Sequence, residues 1–336
     1  MQRSDLFSLL AVIGTAAAIA GADEFDPWKS AAVYELEYAV DLGPLAGRDD
    51  VRVWIPLPAT NTHQRLLGSV LASPWPARIT HDEHGNRFLY LEPDGPQPEP
   101  VVHLRWVIER QVHRGRSAPA PPADSPYLKP CRRIPLDGEL RSISQRLCRG
   151  LDDPGARQRV IYDHVLASMT YSKHGQGWGR GDALWACRAG YGNCTDFHSL
   201  LIGLCRCANI PARFVMGFPM PDAAEPTPVR GYHCWAEVYE PGVGWVGIDA
   251  SEAAKSGRKE AYFGTLPADR IEFTVGRDLR LVPPQAGEPL NYFIYPYAEV
   301  AGRPVEQVPW RLQARRLPAP TSTSKAGPTA RPAGRP

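Results

Sequence analysis

Between residues 31 and 114, apolar positions alternate with polar ones or run in short apolar bursts. Val33-Tyr34-Glu35-Leu36-Glu37-Tyr38-Ala39-Val40, Val51-Arg52-Val53-Trp54-Ile55, Phe88-Leu89-Tyr90-Leu91 and Val101-Val102-His103-Leu104-Arg105-Trp106-Val107-Ile108 are separated by Pro, Gly, Asp and Asn. A period of two between such breakers predicts strands, with His84-Gly85-Asn86 as one of the turns. Together they predict an antiparallel β-sandwich of about seven short strands. The rhythm then changes. Pro119, Pro121, Pro122, Pro126, Pro130 and Pro135 make residues 117–136 a linker that cannot be helical. Leu140, Ile143 and Leu147 share one helical face, and Asp153-Pro154 opens a second helix carrying Val160, Ile161, Val165 and Met169. A Gly-rich stretch, residues 171–179, reads as a surface loop leading to a short helix over 182–188; the other reading has it roofing a site, with Trp178 in the lining. Phe197, Leu200, Leu201, Leu204 and Ala208 trace the buried face of a helix that stops at Asn209 and Pro211. The strand Arg213–Phe218 and a Pro-rich loop, residues 219–230, follow, the loop placed to flank a site.

The next pattern is a hairpin, and its parity matters. Aromatic and β-branched runs on either side of Pro241-Gly242-Val243-Gly244 predict two paired strands. A loop over residues 240–244 pairs Tyr239 with Trp245 and hence Trp235 with Asp249, so that His233 and Asp249 share a face as diagonal neighbours. A loop one residue shorter puts them on opposite faces; the odd loop, or a bulge that restores parity, is expected. On the helix before the hairpin, Gly190-Tyr191-Gly192-Asn193 precedes Cys194, which therefore sits on the first turn. Unpaired N–H groups and the helix dipole favour a thiolate there, and the same N–H groups can hold an oxyanion. A cysteine in a core helix is otherwise a packing residue.

Composition narrows the setting. A chain of 336 residues exceeds one comfortable core. Thirty-eight basic against thirty-six acidic residues leave no strong field, which removes the electrostatic argument for a nucleic-acid partner. Residues 1–22, with Arg3, an apolar stretch from Leu6 to Ala20 and Ala20-Gly21-Ala22, have the pattern of a cleaved secretory signal, with a retained anchor as the alternative. The mature chain is then expected to be exported, periplasmic or secreted, with no stable membrane span after signal cleavage. Residues 316–336 are too poor in apolar side chains to fold.

The residues now on the page resemble a known family. Gly192-Asn193-Cys194-Thr195-Asp196-Phe197-His198 at a helix start, Gly231-Tyr232-His233-Cys234-Trp235 on a strand and Val246-Gly247-Ile248-Asp249-Ala250-Ser251 on the next resemble, in that order, the transglutaminase-like superfamily of papain-type thiol enzymes. The resemblance covers roughly residues 150–252, and Tyr262-Phe263-Gly264, Gly276-Arg277-Asp278 and Pro289-Leu290-Asn291-Tyr292-Phe293 resemble the tail of bacterial members. It implies an α+β fold and the layout signal 1–22, N-terminal β-sandwich 28–116, linker 117–136, catalytic core 137–260, C-terminal β extension 261–312 and disordered tail 313–336. It also implies Cys194 as nucleophile, His233 as general base and acid and Asp249 as the group that orients His233, with no cofactor and no metal. The expected activity is acyl transfer on amide bonds of a peptide or protein substrate, by hydrolysis or transamidation. Thr195 departs from eukaryotic transglutaminases, which carry Trp after the nucleophile, so the choice between the two outcomes stays open. The alternative is a non-catalytic scaffold on the same fold. Neither substrate identity nor oligomeric state is legible.

Seven cysteines, 131, 148, 187, 194, 205, 207 and 234, leave one unpaired if three bridges form. Cys194 is the one left out, and Cys187 with Cys234 are candidate partners; buried free thiols are the alternative. A metal site is disfavoured because Cys205 and Cys207 point about 200 degrees apart on a helix and cannot both join Cys194 and His198. His198 is expected in the core or supporting the site. His63, His81, His84, His103 and His113 are scattered and expected at the solvated surface.

Overall fold

A computed structural model of the chain describes residues 25–93 and 100–318. The signal expected over 1–22 lies outside the described residues, as does the tail beyond 318. The first strands are β1 (Ala32–Asp41), β2 (Val51–Leu57), β3 (Gln64–Ala72), β4 (Ala77–His81), β5 (Arg87–Leu91) and β6 (Val101–Arg110). Helices α1 (Gly138–Leu147), α2 (Pro154–Ser168), α3 (Ala183–Ala189), α4 (Cys194–Cys207) and α5 (Ala250–Ser256) are interleaved with β7 (Thr170–Tyr171), β8 (Tyr191–Gly192), β9 (Ala212–Pro219), β10 (Thr227–Pro228), β11 (His233–Glu240) and β12 (Gly244–Ile248). The chain ends in β13 (Arg270–Val275), β14 (Tyr297–Val300), β15 (Arg303–Pro304) and β16 (Trp310–Leu317).

The architecture is α+β: an antiparallel sandwich beside a helix-and-sheet core. The two sandwich sheets have the orders β10-β16-β1-β6-β3 and β15-β14-β2-β5-β4. Alternation in β1 works as the sequence predicts, with Tyr34, Leu36, Tyr38 and Val40 buried between the sheets. What the pattern did not assign was the partner of the last segment. β16 pairs with β1 from Val33↔Leu317 to Val40↔Trp310, and β14 pairs with β2, so strands from the C-terminal third complete both sheets. Residues 313–317, expected in the disordered tail, are strand for the same reason: Leu312 and Ala314 are buried.

The core holds a sheet of order β12-β11-β9-β13 with α4 packed across it. Helix α4 is buried all round from Cys194 to Arg206, enclosed by α1, α2, α3, α5 and the sheet, as a central helix must be. On α2 the N-cap is Asp153, whose carboxylate accepts from Ala156 N–H at 2.7 Å. Its buried face is Gln158, Ile161, Tyr162 and Val165; Met169 lies just past its end in extended backbone.

The seam between sandwich and core corrects the reading of two histidines. His63 and His113 are buried and stacked, ring centroids 4.0 Å apart, instead of standing in solvent. His113 Nε2 is 2.9 Å from Glu237 Oε1, and the same carboxylate, fully buried, is bonded by Arg116 and Arg213. Their partners come from the distant hairpin, which local sequence does not reveal. Residues 117–136 contain no α-helix, but Tyr127 packs edge-on against Trp245 at 5.3 Å and its hydroxyl meets His84 Nδ1 at 3.1 Å.

Candidate active site

The local fold around Cys194 is fixed by its neighbours. Asn193 caps α4, its side chain accepting from Thr195 N–H at 2.9 Å, while Asp196 Oδ2 accepts from Asn193 N–H at 3.0 Å. Gly192 is required just before the cap, because a Cβ there would lie 2.5 Å from the Asp196 carboxylate. The buried Asp196 also accepts from Gly179 N–H at 2.6 Å and Gly181 N–H at 3.0 Å, which ties the Gly-rich loop to the start of α4. That loop is not a mere surface connection: Lys173 and Trp178 line the same cavity as Cys194.

His233 opens β11. The hairpin pairs Tyr239 with Trp245 and Ala236 with Ile248, the expected register, and Asp249 follows directly. His233 Nε2 is 2.5 Å from Asp249 Oδ2. The other carboxylate oxygen, Oδ1, caps α5, accepting from Glu252 N–H at 3.0 Å and Ser251 Oγ at 2.9 Å. Asp249 is fully buried, so both oxygens are held in place. With Nε2 committed to Asp249, Nδ1 is the ring atom left for Cys194, which lines the same cavity as His233.

The electrostatics follow from these contacts. Burial opposes charge on His233, but the Asp249 carboxylate, its hydrogen bond and the bond to Cys194 overcome it and raise the imidazolium to about 9. Cys194 is held well below an ordinary thiol by a hydrogen bond from Cys234, against its own burial, and then by the hydrogen bond and charge of His233. Burial would raise Asp249, yet the charge of His233 and the hydrogen bonds to its oxygens hold it well below the usual carboxylate range. A thiolate–imidazolium pair steadied by a buried carboxylate is what this arrangement favours.

The cavity above them has a volume of about 450 Å³. Tyr171, Trp178, Tyr232 and Tyr295 give it aromatic walls, and Lys173, Lys255, Glu252 and Arg270 give it charge. Pro219 and Gly231, the ends of the Pro-rich loop, complete the rim. Thr195, the residue next to Cys194, meets the Tyr232 hydroxyl at 2.8 Å and so anchors one aromatic wall. A cavity of about 420 Å³ on the sandwich, lined by Glu37, His103, Arg105 and Arg311, contains none of these groups.

Sequence reasoning missed the supporting contacts. His198, placed only in the core or near the site, accepts Ala250 N–H on Nε2 at 3.1 Å and faces Cys234 Sγ through Nδ1 at 3.6 Å. The four-residue step from Cys194 put it on the right helical face, but nothing pointed to Ala250. The Cys187–Cys234 pairing does not form: all seven cysteines are free thiols, Cys187 facing Glu139 at 3.9 Å and Cys234 buried against His198. Cys205 is buried and Cys207 half-buried, and among the described residues no three His, Cys, Asp or Glu side chains are grouped to hold a metal ion.

Residues 141–250 match the model of the transglutaminase-like superfamily. This segment is a transglutaminase-like core. An uncharacterised Haemophilus influenzae protein is 26% identical over 321 residues, 81% of this chain and 87% of its own. Among solved structures, a Cytophaga hutchinsonii protein described as a candidate cysteine protease is similar with a TM-score of 0.58 at 16% identity, over 86% of this chain and 92% of that one. That likeness extends the shared fold beyond the transglutaminase-like core to the sandwich. The periplasmic domain of TgpA from Pseudomonas aeruginosa is 17% identical over 70% of this chain and 95% of its own, with a TM-score of 0.39. Among the described residues no helix is long and apolar enough to cross a membrane.

Proposed function

We propose that the chain is a thiol enzyme that breaks amide bonds of peptides or proteins through a thioester on Cys194. The observation that carries this reading is the buried Asp249 carboxylate 2.5 Å from His233 Nε2, which leaves the opposite edge of the ring for Cys194 at the floor of the cavity. The Cys194 thiolate attacks the carbonyl carbon, and the Cys194 N–H, one of the donors left unpaired by the first helical turn, stabilises the oxyanion. His233 then gives its proton to the departing amine, while Asp249 fixes the ring orientation and supports its charge. Water, activated by His233, cleaves the thioester; an amine in its place would complete transamidation. Hydrolysis is the favoured outcome, since water is always present and no acceptor site is recognisable around the cavity. The description of the Cytophaga hutchinsonii protein as a candidate cysteine protease agrees with this reading. The secretory-signal pattern of residues 1–22 supports an exported enzyme.

Peptide libraries read out by mass spectrometry, with and without an added amine, test the proposal. Wild-type protein should release new amine termini and Cys194→Ala should lose about 10³-fold or more of that rate. Equal cleavage by the two proteins would refute it.

A further inference from the structure

Behind the Cys194–His233 pair lies a second thiol and imidazole, drawn from the same two elements in the opposite order. Helix α4 supplies Cys194 and, one turn later, His198; β11 supplies His233 and then Cys234. His198 Nε2 takes the Ala250 N–H at 3.1 Å and lies 3.5 Å from Asp249 Oδ1, and the other ring nitrogen, Nδ1, faces Cys234 Sγ 3.6 Å away. Cys234 is fully buried, so only groups inside the protein can reach it, and the His198 that it faces stands one turn from Cys194 on the same side of α4, which puts both thiols at the contact between α4 and β11. Cys194 itself lines the cavity and is open to small molecules from that side. The acyl-transfer cycle makes and breaks its bonds at Cys194 and none at Cys234.

We propose that Cys234 is a resolving thiol, which closes a reversible disulfide with Cys194 after a hydroperoxide has oxidised Cys194. The inference rests on Cys194 being the reactive thiolate of the function proposed above. In the first step the Cys194 thiolate attacks the outer oxygen of the peroxide: an S–O bond forms, the O–O bond breaks, and the departing oxygen takes the proton of His233. Sulfur loses two electrons and the peroxide gains them, giving the sulfenic acid and water or an alcohol. In the second step Cys234 sulfur attacks Cys194 sulfur: the S–S bond forms, the S–O bond breaks, and hydroxide leaves with the Cys234 proton as water. The nucleophile is then blocked but protected, since a disulfide cannot pass to the irreversible sulfinic acid. An external dithiol restores both thiols by exchange. Cys131, Cys148, Cys187 and Cys207 are half-buried and Cys205 is buried, and Cys234 is the cysteine that faces His198, one turn from Cys194.

The test uses the full chain as wild type, Cys234→Ala and Cys234→Ser, treated with hydrogen peroxide and then with dithiothreitol. Each variant is read against its own untreated rate of Cys194 alkylation by iodoacetamide, which cancels any effect of Cys234 on the thiolate. Wild type should lose alkylation, lose about 2 Da, and regain its untreated rate with dithiothreitol. Tryptic peptides 189–206 and 231–255 should be joined, with fragment ions placing the bridge at Cys194 and not Cys205. Both variants should instead gain about 32 Da at Cys194, and their recovery should fall at least about tenfold. Irreversible oxidation of wild type at the same rate as the variants would overturn the proposal, as would an inert Cys194 or a bridge from Cys194 to another cysteine or another chain. Should untreated Cys194 react no faster than the other cysteines, the functional reading itself fails, and that is seen before any peroxide is added.

Discussion

Asp249 does two jobs with its two carboxylate oxygens, and single substitutions separate them. Oδ1 caps α5 and Oδ2 faces His233. Asn keeps an oxygen for the cap but can offer His233 an amide N–H, which turns the ring to the wrong tautomer. Asp249→Asn should therefore lower the rate by about 10⁴-fold with little change in Tm. Asp249→Ala should lose as much activity and also about 1 kcal/mol of stability from the missing cap, read by thermal unfolding of both variants. The three residues of the line, Cys194, His233 and Asp249, were legible because each sits where its element begins or ends, a place that pattern reveals. His198 and Cys234 were not, because a buried His or Cys within a regular element has the same periodicity as a packing residue.

At the scale of elements, two junctions decide the site. The first is the hairpin turn, whose odd parity keeps His233 and Asp249 on one face; residue counting alone anticipated it, since a slip of one reverses every side chain. The second is the Gly-rich loop, which local sequence could not place because its anchor, Asp196, is seventeen residues away from Gly179. Asp196 takes three backbone N–H groups, from Gly179, Gly181 and Asn193, and burial alone would raise its pKa further than those bonds allow. Asp196→Ala leaves those buried donors unpaired and should cost about 2–4 kcal/mol. Hydrogen exchange should then speed up at residues 172–181 and at the first turn of α4 before it does so in β9 or β11. Uniform acceleration across the core would mean that Asp196 is a general stability residue and not the loop anchor.

Over the whole molecule, the first and last described strands pair in one sandwich, and a buried charge cluster joins that sandwich to the core. Strand pairing across more than 280 residues, as between Val33 and Leu317, leaves no local trace, which is why the final strands had no assigned partner from sequence. Glu237 binds Arg213, Arg116 and His113 and, although burial opposes it, is held well below the usual carboxylate range. His63 is pushed down to about 3 and His113 lowered, in both cases chiefly by burial, so both are neutral when folded. A depressed histidine pKa means that the unfolded chain takes up protons first, so stability is lost as pH falls below about 6.5; the Glu237 contribution is lost in turn below about 4.5. Tm should drop on acidification from neutral pH, and Glu237→Gln should destabilise the fold at pH 7 by about 3–5 kcal/mol while flattening the loss below pH 4.5. An unchanged acid limb in the variant would remove Glu237 from that account. The central claim, a thiolate on Cys194 paired with His233, is tested most directly by the pH dependence of iodoacetamide alkylation of the native protein, followed residue by residue. The account predicts fast modification of Cys194 at about pH 5.5 while the other cysteines stay unreacted, and a shift of Cys194 toward ordinary thiol behaviour, near pH 8.5, in His233→Ala. A Cys194 that begins to react only near pH 8.5 in the wild-type protein would contradict it.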